Sequence, residues 1–411
     1  INCTVMRIVS LKRRTLPFQE GQKCQAHSFY YPADDAPWDP DADLMALIDD
    51  AYIQWPHIYM NSFFPGSTSA LPPTVGYHHL RVPGDVTLLL GADRAHRGGI
   101  TGQGVRVAMI DSGFAIGHAY FQERGYNTNV VLAPGATNAN VDNNGHGTAE
   151  CANLLAMAPD VEFTGVKLDN DFLPADGASI LEGLQTAMLH NPQVISVSLG
   201  YDMCPSDISG NRISNDHLTT LPNSLKALET EIRAITGTGT IVVFSAGNGH
   251  VAFPGMMPEV ISAGGVYVDQ NGNMRASDYA SAFQSKIYPG RDVPDASCLV
   301  GLASNGAKYI MLPVQPNCEI DRQNADGTGN DDGWAVISGT SAAAPQMSGA
   351  IALLLQKNPG LTADDIRQVF DTTSRDVVNG NASAASNENK GGAVAGPGRD
   401  LATGSGLINI Q

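Results

Sequence analysis

The chain has 411 residues, with 24 Lys and Arg against 41 Asp and Glu, a formal net charge of −17. A field that negative repels phosphate, which argues against nucleic acid or an anionic membrane surface as a partner. Hydrophobic residues make up 43%, yet no apolar run approaches the roughly 18 residues of a membrane helix, which leaves a globular protein of one large domain with an extension, or of two domains.

Residues 1–40 hold a basic cluster, Lys12-Arg13-Arg14, and then a Pro-, Asp- and aromatic-rich stretch to Trp38; neither is patterned as a regular element. Leu44, Leu47, Ile48, Ala51 and Tyr52 recur at helical spacing behind Asp43, which is placed to cap them. Residues 61–87, rich in Pro, Gly and Ser, read as linker. From Leu88 the texture changes. Strands are expected at 105–110, 161–168, 194–199, 241–245 and 260–266, and helices at 147–157, 180–190, 221–235 and 340–357. Strand runs apolar on both faces and separated by helices imply a three-layer α/β domain over 88–411, its central sheet mostly parallel, behind an irregular N-terminal extension, 1–87. The Gly-, Ala- and Asn-rich stretch 379–398 reads as a surface loop.

The six cysteines are Cys3, Cys24, Cys151, Cys204, Cys298 and Cys318, with no CxxC or CxxH spacing of a zinc site. Cys298 and Cys318 are the pair expected to form a disulfide; reduced, partly buried thiols are the alternative. No leader is visible from Ile1 onward, and the expectation is a secreted or extracytoplasmic protein.

Four segments carry chemistry. The strand at 105–110 runs into Asp111-Ser112-Gly113, an acid at the carboxyl end of a buried parallel strand, where open α/β sheets place their sites. Asn143-Asn144-Gly145-His146-Gly147-Thr148 opens an apolar helix and holds a His between two glycines. Ser338-Gly339-Thr340-Ser341 begins another helix, where free N–H groups favour a developing anion. Singly these are a turn-forming Asp, a structural His and an N-cap Ser. Together they are the parts of an activated nucleophile: imidazole takes the hydroxyl proton, and a carboxylate fixes the tautomer and stabilises the imidazolium. A strand ending in Ser245-Ala246-Gly247-Asn248-Gly249 adds a side-chain amide able to meet an oxyanion.

Asp-Ser-Gly, Gly-His-Gly-Thr, Ser-Ala-Gly-Asn and Gly-Thr-Ser-Ala-Ala-Ala-Pro, in that order, resemble the subtilisin-like serine proteases, from about Leu88 to Asn409. The resemblance implies Asp111 as orienting acid, His146 as base and then acid, and Ser341 as nucleophile. It implies Asn248 as oxyanion-hole donor together with the Ser341 N–H. Ser198-Leu199-Gly200 would pair with an extended substrate, and Ala246, Gly247, Ala252 and Phe253 would line the P1 pocket. Since none of these is charged, apolar or aromatic P1 side chains are expected. Residues 1–87 would then be a prodomain-like segment or a permanent extension.

The resemblance has departures. The Asn/Gly loop with which many bacterial members bind calcium is missing after the His helix. The long stretch 265–338 holds Asp321, Asp326, Asp331 and Asp332, oxygen ligands for a structural calcium or else a solvated acidic loop. Catalysis itself would need no cofactor. The leading reading is a monomeric serine endopeptidase acting on polypeptides. A peptide-processing or transpeptidating enzyme uses the same residues, and a catalytically silent binding protein is disfavoured because no catalytic position is substituted. The absence of G-x-S-x-G and of HExxH argues against an α/β-hydrolase and a zinc peptidase.

Overall fold

The computed structural model describes residues 11–15, 28–32, 69–168, 178–206, 212–323, 325–387 and 391–410. The chain forms two compact units, Ile1–Ser67 and Thr68–Gln411. In the first, Leu11–Thr15 and Ser28–Pro32 form an antiparallel pair with Arg13 opposite Tyr30. The basic cluster therefore lies in a strand, against expectation; Phe29, Tyr30 and Tyr31 favour extended backbone, and a partner that far along the chain leaves no local period. The helix expected around Leu44, as well as Cys3 and Cys24, lies outside the described residues.

The second unit is built on an eight-stranded sheet: β1 (Arg106–Asp111), β2 (Thr128–Leu132), β3 (Glu162–Lys167), β4 (Val194–Val197), β5 (Ile241–Ser245), β6 (Ile261–Val268), β7 (Met274–Ala276) and β8 (Ala296–Leu299). Its order is β7-β6-β5-β4-β1-β3-β2, with β8 also paired to β6. All neighbours are parallel except β6 and β7. Five helices concern the site: α1 (His146–Met157), α2 (Ala178–Met188), α3 (Lys226–Gly237), α4 (Thr340–Lys357) and α5 (Ala363–Thr373). Side chains of β1 alternate between the two cores. Val107 and Met109 join α1 and α4 on one face, while Ala108 and Ile110 join α2 and α3 on the other. These are the three layers expected from the apolar runs.

Helix α4 is buried along most of its length. At Gly349 a Cβ would stand 2.5 Å from the Met157 Cβ, so only glycine lets α4 and α1 pack this closely. Pro345 supplies no N–H to the carbonyl four residues before it, that of Ser341. The Ser198 hydroxyl donates to that carbonyl instead, at 2.8 Å, and fixes the start of α4 to the end of β4.

Three segments differ from the sequence reading. The expected linker contains Leu80–Arg81, parallel to Ile310–Pro313, and a helix at Gly84–Leu90. Leu80, Val82, Val86 and Leu90 enter the core, and their short strand-then-helix spacing was hidden between Pro and Gly. Within 379–398, Ala382, Ala393 and Ala395 are buried with Ala276, Ala282 and Ala402 in a small alanine core, so this stretch is not merely a surface loop. Cys298 and Cys318 are free and buried rather than bonded. Cys298 sits in β8, whereas the Cys318 thiol packs against Gly145, where a Cβ would stand 2.4 Å from it.

Candidate active site

Asp111 ends β1 and is fully buried. Its Oδ1 accepts the Ser112 N–H at 2.7 Å and pairs with His146 Nδ1, also at 2.7 Å. Helix α1 can bring the imidazole so close because Gly147 has no side chain: a Cβ there would lie 2.2 Å from the Gly113 carbonyl oxygen. Gly145 before it takes φ 98°, a left-handed turn that suits glycine.

A second buried carboxylate holds this turn. Asp142 Oδ1 accepts from Gly145 N–H and the Ser112 hydroxyl, both at 2.9 Å, and Oδ2 accepts from the Thr148 N–H at 2.9 Å and hydroxyl at 2.6 Å. Asp142 thereby satisfies free N–H groups at the start of α1. Lys167, 1% exposed, donates to the Val141 carbonyl at 2.7 Å just before it. Sequence reasoning missed Asp142; its position four residues before the His, in an Asn-Gly turn, was the available signal.

The stretch 315–320 clasps the same turn. Asp142 N–H donates to Gln315 Oε1 at 2.6 Å, Glu319 N–H to the Asn143 carbonyl at 2.8 Å, and Ile320 N–H to the Asn144 carbonyl at 3.0 Å. The four aspartates beyond it largely serve their own loop. Asp326 accepts from the Thr328 and Val336 N–H groups, and Asp332 from those of Gly329 and Trp334. Asp321 accepts from the Asn317 N–H at 2.6 Å, while burial pushes its carboxyl up to about 6; Asp331 is exposed. Among the described residues no group of three or more His, Cys, Asp or Glu side chains is placed to hold a metal ion.

On the other side, Asn248 Oδ1 accepts the Thr340 N–H at 2.8 Å and the Thr340 hydroxyl at 3.0 Å. Thr340 Oγ1 in turn accepts the Gly247 N–H at 3.1 Å. With its oxygen occupied, Asn248 presents its amide nitrogen toward the Gly339–Ser341 turn, 3.0 Å from where a Gly339 Cβ would be. Ser341 is half-buried, and its hydroxyl makes a long hydrogen bond, 3.4 Å, to the Ser198 carbonyl. Beyond Ser198, Leu199 is half-buried and Gly200 is exposed. Tyr201–Asp202 pairs antiparallel with Ala252–Phe253, which sets Gly200 against the Phe253 carbonyl. Ala246 and Phe253 are fully buried in the α2–α3 core. Asp202 accepts the Val251 N–H at 2.9 Å and is paired with Arg212, so its charge is compensated.

Burial opposes charge on the His146 ring, but the Asp111 carboxylate and its hydrogen bond overcome it. With added attraction from Glu150 and Asp142, they push the imidazole up to about 9.

This order of elements and groups can be set beside known proteins. The Peptidase_S8 family, described as the subtilase family, matches residues 102–400. Serine protease AprX of Bacillus subtilis (strain 168) is 28% identical over 295 residues, 66% of this chain; the chain spans only 61% of that relative's length. Subtilisin E of the same organism is 24% identical over 426 residues, covering 99% of this chain and 87% of the relative. The crystal structure of a lanthipeptide protease superposes with a TM-score of 0.56 at 20% identity, covering 79% of this chain and 91% of that one. The sheet, the motif order and the match over 102–400 agree: the chain belongs to the subtilase family.

Proposed function

We propose that the protein is a serine endopeptidase in which Ser341, His146 and Asp111 form the catalytic triad. The observation that carries this reading is the 2.7 Å bond between His146 Nδ1 and Asp111 Oδ1. It leaves Nε2 as the ring's free base, and Ser341 starts α4 beside the Asn248 amide. In acylation, Ser341 Oγ attacks the scissile carbonyl carbon while Nε2 takes its proton. The carbonyl oxygen becomes an oxyanion facing the Asn248 amide and the Ser341 N–H. His146 then gives the proton to the leaving amine, and water repeats the sequence to release the acid. Only the neutral ring accepts a proton, so a pKa near 9 places the rise of activity on the alkaline side of an ordinary His. The chemistry runs through side chains and main chain, and needs no metal. The same proposal makes the protein a secreted or extracytoplasmic monomer acting on polypeptides. Among the described residues no helix is long and apolar enough to cross a membrane.

A fluorophosphonate should tag the protein once, on Ser341, when the labelled peptide is mapped by mass spectrometry. Tagging elsewhere, or none, would contradict the triad.

Specificity follows from the residues expected to line the P1 pocket. Gly247 and Ala252 carry no charge, and Asp202, which accepts the Val251 N–H, is already compensated by Arg212. A Lys or Arg at P1 would be buried without a partner, whereas an apolar side chain gains about 1.5–3 kcal/mol. Cleavage of a peptide library should therefore cluster after Leu, Met, Phe or Tyr; a cluster after Arg or Lys would refute this account of the pocket.

A further inference from the structure

The triad leaves the buried acid Glu150 unused. Glu150 follows His146 by four residues on α1, so both side chains lie on one face of the helix. It is 2% exposed, and its Oε2 accepts a 2.8 Å hydrogen bond from Asn153 Nδ2. Asn153 Oδ1 accepts from Gln346 Nε2 of α4 at 3.3 Å, and the Gln346 amide is spread over the N–H and carbonyl of Leu299 in β8, at 2.9 and 3.2 Å. A buried polar chain therefore crosses from β8 through α4 to α1 and ends in a carboxyl beside the imidazole.

That carboxyl does none of the work of its neighbours. Asp111 holds the Nδ1 edge of the ring, and Asp142 caps the turn with both its oxygens. The other titratable groups close by are Cys151 on α1, whose thiol is pushed up by burial and then by Asp111 and Asp142, and Lys167 of β3, which lies near Asp142. An apolar side chain would fill this position without the cost of burying an acid. Burial, with a smaller push from Asp111, raises the Glu150 carboxyl to about 7, while the His146 charge draws it down.

We propose that Glu150 is a second positioning acid of the site, backing the imidazolium from the helix side so that the working pH of His146 is set by two carboxyls and not by Asp111 alone. The proposal rests on the reading of His146 as the general base.

The test is the rate of Ser341 tagging by a fluorophosphonate, followed against pH in the wild type, in Glu150→Gln and in Glu150→Asp. Glutamine keeps the shape and an oxygen for Asn153 but removes the charge. Its acid limb should shift about one pH unit downward, the size expected for loss of one neighbouring opposite charge. Glu150→Asp, which keeps the charge, should stay closer to the wild type. Direct titration of the His146 ring by NMR in Ser341→Ala, with and without Glu150→Gln, should give the same displacement. A Gln variant slowed equally at every pH, with its midpoint unmoved, overturns the proposal and leaves Glu150 a packing residue. A wild type that is not tagged at Ser341 overturns the base reading beneath it, a result distinct from an unmoved midpoint.

Discussion

Replacing Ser341 with Ala is expected to lower kcat on a peptide substrate by about 10⁶-fold, the scale on which loss of the nucleophile is felt in such a triad. The fold should not register the change. Among the described residues the hydroxyl bonds only to the Ser198 carbonyl, at a long 3.4 Å, and the Ser341 carbonyl keeps its 2.8 Å bond from the Ser198 hydroxyl. What activity survives would come from substrate binding and from Asn248, whose placement by Thr340 is independent of Ser341 Oγ. Turnover within tenfold of the wild type in a protein of unchanged melting temperature would remove Ser341 from the chemistry.

The second large effect lies away from the chemistry, at Asp295. Its side chain is 2% exposed, and it receives Arg291 Nη2 at 2.6 Å, Arg367 Nε at 3.1 Å and the Ser262 N–H at 2.7 Å. Arg291 comes from the turn before β8, Arg367 from α5 and Ser262 from β6, so one carboxylate joins three parts of the domain. Asp295→Asn turns an amide toward two guanidinium groups and leaves Arg291, with its side chain 9% exposed, uncompensated. Breaking a buried pair from one side costs about 3–5 kcal/mol. The loss should appear as a lower urea midpoint, measured in the Ser341→Ala background so that self-cleavage does not intervene; a midpoint equal to that of the parent would show the cluster to be dispensable. Burial alone would raise the Asp295 pKa, but the two arginines and the Ser262 N–H hold it below the 3.8 of a free Asp. Its contribution is therefore complete above pH 3.8 and is lost as pH falls through the lower, folded value. The Asn variant should lack that part of the acid sensitivity.

The buried strands were legible because a parallel strand covered on both faces needs apolar residues throughout. β4 and β5 are buried end to end, and β5 was placed to the residue. β2, at the sheet edge, mixes exposed and half-buried positions and gave no such run. Helix α5 was missed although its signals were present: Thr362 and Asp365 form a capping box, and Ile366 and Phe370 are one turn apart. In the candidate site, Asp111, His146, Asn248 and Ser341 were legible as candidates because each belongs to a short motif at a strand end or helix start. Their supports were not. The bond from Asp142 to Gln315 joins residues 173 apart, and the chain from Gln346 to Asn153 joins residues 193 apart, so no local pattern carries either. The cysteine pairing failed for a related reason, since a spacing of residues says nothing of where a strand and a clasp point their thiols.

The clasp at 315–320 bears on which parts of this chain can be exchanged separately. The His turn lends out the Asp142 N–H and the carbonyls of Asn143 and Asn144, and these three groups take their partners from one distant stretch. Gly145 has given up its side-chain space to Cys318. Turn and clasp are thus halves of one unit. A chimera that imports the turn without the clasp leaves three main-chain groups without these partners, and one that imports a bulkier residue at Gly145 collides with the thiol. Deleting residues 315–320 would remove the partners of all three groups and loosen the turn that carries the imidazole.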